Sequence, residues 1–68
     1  MKFGDALNQV TTTNSIRRER WPHLSEVFLG LDKDEKRMLK RRLPSGNIKG
    51  SWSPTQEDLF AEDWEIVE

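Results

Sequence analysis

Phe3, Ala6, Leu7 and Val10 recur at helical spacing and predict a short amphipathic helix near the start of the chain. That helix should stop at Thr11-Thr12-Thr13-Asn14, a β-branched and turn-prone run. From Ser15 to Trp21 the pattern alternates weakly, with Ile16 and Trp21 as its apolar ends. Pro22 then closes it, which suits the end or edge of a strand. Glu26-Val27-Phe28-Leu29-Gly30-Leu31 is short, apolar and bounded by turn-formers, the pattern of a central strand. Arg37 to Leu43 admits two readings. Met38 and Leu39 fit a helix beginning at Asp34, or a strand that exposes its arginines. The Pro44-Ser45-Gly46-Asn47 turn, with Ile48 and Lys49 returning behind it, makes a hairpin and favours the strand.

The last seventeen residues carry the clearest local signals. Ser53 is placed to cap a helix, with Pro54 at its first position and Gln56 at its third. Glu57 and Asp58 fall in the first turn, where the helix dipole favours negative charge. Leu59 and Phe60 are expected on its buried face, and the helix should end near Glu62 or Asp63. Trp64-Glu65-Ile66-Val67 alternates as a terminal strand. The expected fold is a small α+β domain: an antiparallel sheet of about four to five short strands, a short N-terminal helix, and a short C-terminal helix before the last strand.

With 68 residues, the chain is expected to form a single small domain, residues 1–68. Only 34% of the residues are apolar, yet three are tryptophan, so a self-sufficient aliphatic core is hard to build. Cysteine is absent, so no disulfide can compensate, and a lone histidine, His23, cannot make a zinc site. We therefore expect assembly into a homo-oligomer, a dimer or tetramer, with no metal and no cofactor. No apolar run is long enough for a membrane span or a secretory leader, and the lack of cysteine fits a reducing cytoplasm.

Net charge is only −1, but its distribution is uneven. Ten of the eleven basic residues lie between positions 16 and 50, whereas positions 51 to 68 hold six acidic residues and no basic one. Such asymmetry suits either a binding surface or internal neutralisation of one region by the other.

No nucleophile has a recognisable base beside it, and the four glycines are dispersed rather than gathered in a phosphate loop, so an enzyme is not expected. What remains suits binding. Arginine forks match phosphate oxygens, and aromatic rings stack on bases. Arg17, Arg18 and Arg20 precede Trp21, while Arg41 and Arg42 stand beside a turn. In a regular strand Arg18 and Arg20 share one face and Arg17 and Trp21 the other, unless the chain bends. Trp21, placed among charges and before a proline, is expected to be the most exposed of the tryptophans. Trp64 is expected in the core, and His23 at the surface or an interface.

The order of motifs resembles a family of small phage-encoded proteins, the type-two Thoeris anti-defence proteins. Phe3-Gly4-Asp5-Ala6-Leu7 matches their opening helix, Arg18-Glu19-Arg20-Trp21 the end of their basic strand, and Val27-Phe28-Leu29 their apolar strand. Ser45-Gly46-Asn47-Ile48 matches their turn, and Trp52 with Pro54-Thr55-Gln56-Glu57-Asp58-Leu59-Phe60-Ala61-Glu62-Asp63-Trp64 their ending. The middle is shorter and more basic than in relatives, and Arg20 and Pro22 flank the first tryptophan of the pattern where relatives often carry glycine and asparagine.

The resemblance implies a non-enzymatic sponge acting in the cytoplasm of an infected bacterial host. Such a sponge would bind, without cleaving, cyclic ADP-ribose isomers or cyclic oligonucleotides in pockets between α+β subunits. For this chain it implies that Trp21 or Phe28 stacks on adenine, Arg18 meets phosphate, and Gln56, Asp58 or Asp63 holds ribose hydroxyls. The competing reading is a protein–protein inhibitor of a host nucleic-acid machine such as a CRISPR effector, using the basic middle and acidic tail. Direct nucleic-acid binding through residues 33 to 42 ranks last, because the tail is acidic and the net charge is near zero.

Overall fold

The computed structural model describes residues 1–11, 13–22 and 24–67. His23 therefore lies outside the described residues. The elements run α1 (Phe3–Leu7), β1 (Ser15–Arg18), β2 (Glu26–Leu31), β3 (Arg37–Arg42), β4 (Ile48–Lys49), α2 (Gln56–Phe60) and β5 (Trp64–Val67). The strands form one antiparallel sheet in the order β4-β3-β2-β1-β5. The fold is a small α+β arrangement, as the hydrophobic pattern predicts.

Registers explain which side chains reach the core. Ile16 lies opposite both Val27 and Ile66, Arg18 opposite Trp64, and Leu29 opposite Leu39. Residues paired across strands share a face. One face of the sheet thus carries Ile16, Val27, Leu29, Leu39, Trp64 and Ile66, and α1 packs Phe3 and Ala6 onto it, with Val10 just beyond. Ile16 and Val27 are fully buried at its centre. At five residues and with no side-chain cap, α1 is too short to persist on propensity alone and is held by this packing. It is also tied to the last strand: the Met1 nitrogen donates to the Glu62 and Trp64 carbonyls (3.0 and 2.9 Å), and Trp64 N–H donates to the Met1 carbonyl at 3.1 Å.

The ambiguous middle is a strand. Asp32 decides it by folding the connection tightly: its Oδ1 accepts from the backbone N–H groups of Asp34 and Lys36 (2.8 and 2.9 Å), which sends β3 back along β2. The next turn closes with Gly46 N–H on the Leu43 carbonyl at 2.8 Å, and Gly46 sits at φ 92°, where a side chain would be strained. Trp52 N–H then donates to the Leu39 carbonyl at 2.8 Å, anchoring the tail to β3.

The tail corrects the sequence expectation in three respects. The helix cap is Thr55, not Ser53: Thr55 Oγ1 accepts from Asp58 N–H at 3.2 Å, and Asp58 Oδ2 accepts from Thr55 N–H at 3.1 Å. This reciprocal pair places Pro54 before the cap rather than at the first helical position. The helix ends at Phe60, because Ala61 is already extended. Its buried residue is Asp58, whereas Leu59 is exposed and Phe60 is 80% exposed.

Candidate functional site

Strand β1 delivers Arg18 to the core face beside Trp64, where an arginine must find counter-charges. Helix α2 and the turn after it supply them. Arg18 Nε donates to Asp63 Oδ1 at 2.9 Å, and Nη1 donates to Asp58 Oδ1 at 3.2 Å and to Glu57 Oε1 at 3.4 Å. Arg20 adds a bond to Glu57 at 2.9 Å on the outside. Arg18 and Asp58 are each only 7% exposed, so this is a nearly buried ion cluster with solvent access through Glu57 and Asp63. The hydrogen bond to Asp63 raises the Arg18 pKa above its ordinary value, against the opposing effect of burial. The same bond holds the Asp63 carboxyl below the ordinary aspartate range, again against desolvation. The uneven charge of the chain is thus partly neutralised inside the fold.

A second assembly is aromatic. After Arg18 the chain bends, with Trp21 N–H on the Arg18 carbonyl at 3.0 Å, and the bend carries Trp21 onto the core side. Trp21 meets Trp64 edge-on at 5.2 Å and Trp52 at 6.3 Å, and Phe3 packs against Trp64 at 5.1 Å. Trp21 is therefore half-buried in a ring cluster, not the exposed residue its charged neighbours suggest. Arg17 Nη2 donates to its carbonyl at 2.6 Å. The Arg41 guanidinium lies 3.9 Å from the centroid of the Trp21 ring, a cation–π stack, and its Nη2 donates to Ser25 Oγ at 2.9 Å. The connection between Trp21 and Ser25 passes through Leu24 at φ 72°, a costly conformation for a leucine and one that clusters at ligand sites.

Trp64 joins the two assemblies. Its Nε1 donates to the Asp58 carbonyl at 2.9 Å while its ring touches Trp21. Four of the six residues singled out in the sequence, Arg18, Trp21, Asp58 and Asp63, thus surround one indole. The other two lie elsewhere. Gln56 is exposed at the first position of α2. Phe28 alternates with buried Val27 and so points to the opposite face of the sheet, where the Arg42 guanidinium lies 5.5 Å from its ring.

Arg18 is engaged by Asp63, Asp58 and Glu57, and Asp58 by Arg18 and the Thr55 cap. Arg41 has no carboxylate within ion-pair distance among the described residues, and its Nε is buried without a hydrogen-bond partner. Lys49 and Trp52 carry no ligand signal in the sequence, and Arg41 stands out there only as one of two arginines beside a turn. The signal available for Arg41 was its hairpin: a strand reading of residues 38 to 43 folded back at Gly46 sets Arg41 against Lys49. An open groove of about 460 Å³ also lies between α1 and α2, lined by Phe3, Leu59 and Phe60 with Lys2, Asp5 and Glu62 at its rim.

Among the described residues no helix is long and apolar enough to cross a membrane. No curated protein matches the chain. A domain-family model does, over residues 1–67, with every element of the sheet, the Arg18 cluster and the tryptophan cluster inside the match. The chain accordingly belongs to the Tad2-like family, the Thoeris anti-defense 2-like domains.

Proposed function

We propose that this protein acts as a sponge in the cytoplasm of an infected bacterial host, binding and sequestering a cyclic immune-signalling nucleotide without cleaving it. A cyclic ADP-ribose isomer is the first ligand to test and a cyclic oligonucleotide the second. The observation that carries the reading, alongside family membership, is the Trp21–Arg41 stack. The indole is wedged edge-on by Trp52 and Trp64, so its orientation is fixed before any ligand arrives. Preorganised stacking surfaces lose little freedom on binding, and bases stack on indole and guanidinium planes alike. Sequestration works by mass action and needs only tight binding with protein in excess of signal.

Self-assembly belongs to the same reading. Both helices pack on one side of the sheet, and the uncovered side presents Phe28, Met38 and Val67 between two ion pairs, Arg17–Glu65 and Glu26–Arg42 (both 3.3 Å). Isothermal calorimetry with cyclic ADP-ribose isomers tests binding, and native mass spectrometry counts subunits and bound ligand together. Trp21→Ala should abolish or strongly weaken the heat. Absence of heat with any cyclic nucleotide at high protein concentration would overturn the reading.

One observation favours the alternative, a protein–protein inhibitor of a host nucleic-acid machine. The groove between α1 and α2 exposes Phe60 almost fully, as an anchor for a protein partner would. A stoichiometric host protein retained by the parent chain and lost by Phe60→Ser, with no nucleotide bound, would establish that function instead.

A further inference from the structure

Arg41 and Lys49 are paired directly across the β3–β4 ladder, so their side chains leave the sheet on the same face. Like charges set opposite one another in an antiparallel pair repel, and such pairs are ordinarily relieved by a nearby carboxylate. Here the ion pairs among the described residues involve Arg17, Arg18, Arg20 and Arg42, and none reaches Arg41 or Lys49. The two cations are also treated differently by the fold. Lys49 is exposed. Arg41 is half-buried and pinned by three groups: the Trp21 ring under its guanidinium, Ser25 Oγ on Nη2, and Val27 opposite it on β2. Ser25 is itself fully buried, so that anchor is rigid. Arg41 Nε is left buried and without a partner, which costs free energy in the absence of an acceptor.

We propose that Arg41 and Lys49, with the Trp21 ring beneath the Arg41 guanidinium, form the seat for a phosphate-type oxyanion. A planar fork held over an indole supplies direction, and an exposed ammonium on the paired residue supplies a second charge, a combination suited to a pyrophosphate or phosphodiester. The repulsion between the two cations is what the anion relieves. Glu57, Asp58 and Asp63 are committed to Arg18 and Arg20, and Glu65 to Arg17, so none of these four carboxylates neutralises this corner. The inference deepens the sequestration reading, on which the identity of the phosphate's owner rests; the anion seat itself stands on the geometry. It also moves the phosphate contact from Arg18 to Arg41.

Inorganic pyrophosphate is the probe. Titrated calorimetrically into the intact chain, it should bind, and binding should weaken steeply as salt is raised. Arg41→Lys, which keeps the charge and loses the stacked fork, should weaken binding about tenfold or more. Lys49→Gln alters an exposed side chain, should leave thermal melts unchanged, and should weaken binding several-fold. Lys40→Gln, on the opposite face of the sheet, should change nothing. Failure of the parent chain to bind pyrophosphate at millimolar concentration overturns the proposal, as does binding unchanged in folded Lys49→Gln. A chain that binds pyrophosphate but no cyclic nucleotide keeps the seat and loses the sponge. A chain whose cyclic nucleotide is held equally well by the parent and both variants keeps the sponge and loses the seat.

Discussion

Replacing Arg18 with methionine keeps much of the side-chain volume and removes the charge that holds β1 to the tail. Three carboxylates then lose this cation, but they do not lose equally, since Glu57 keeps Arg20 at 2.9 Å. Glu57 is two-thirds exposed and is re-solvated at little cost, as is usual for surface pairs. Asp58 is the expensive one: at 7% exposure it keeps only the Thr55 N–H as a partner for its carboxylate. Removing one member of a buried pair typically costs about 3–5 kcal/mol, and the solvent channel through Glu57 and Asp63 lowers the expectation to about 2–4 kcal/mol. A domain of this size rarely has more than about 3–5 kcal/mol in hand, so Arg18→Met should be largely unfolded or melt far below the parent. Urea unfolding followed by tryptophan emission measures the loss. Asp58→Asn restores neutrality while keeping an acceptor for Thr55 N–H, so the double variant should be less destabilised than the sum of the singles by about 1 kcal/mol or more. The reasoning is refuted if Arg18→Met stays within about 0.5 kcal/mol of the parent. If that stable variant had also lost ligand, Arg18 would be a binding group after all.

The remaining expectations are separable. Because Arg18 holds the Asp63 carboxyl below the ordinary aspartate value of 3.8, the ionised form is favoured by the fold. Its contribution is present above that value and is lost as pH falls through the lower folded-state one, so Asp63→Asn should flatten stability against pH in that acid range, read by urea midpoints across a pH series. Thr55→Ala should cost about 1 kcal/mol in chemical denaturation and Ser53→Ala close to nothing, since only Thr55 carries the cap. Gly46→Ala should cost about 1 kcal/mol or more because φ there is 92°, and a melting temperature unchanged by it would contradict the turn geometry. Phe60→Ser should leave stability unchanged or improve solubility, a result incompatible with Phe60 packing in the core.

Local pattern located every strand and both helices: an apolar run in Glu26–Leu31, alternation in Trp64–Val67, a one-turn apolar repeat in Phe3 and Ala6, a turn that settles the ambiguous Arg37–Leu43, and cap signals ahead of the second helix. It missed the helix cap by two residues, since Ser53 and Thr55 offer equivalent hydroxyls and only Asp58 turning back onto Thr55 separates them. Composition puts Leu59 and Phe60 on the buried face of the helix, because it ranks leucine above aspartate for burial. The fold inverts that order by bringing Arg18 from a strand forty residues away to meet Asp58. Non-local charge pairing of this kind leaves no mark in a window of sequence. The candidate site was half legible for the same reason. Trp21 was identifiable as an aromatic among arginines, but which arginine stacks on it depended on the register of β2 with β3, which sets Arg41 against Val27.

The three indoles lie 5.2–6.3 Å apart, centroid to centroid, and cross at 72–83°. At that separation their transition dipoles mix and excitation is shared among the rings before emission. The cluster should therefore behave optically as one chromophore, with an exciton couplet in the far-ultraviolet that a conventional reading of secondary-structure content would misassign. A change at any one ring is broadcast through all three, which makes this small protein its own sensor and obliges single-tryptophan variants to be built before a spectral change is attributed to one of them.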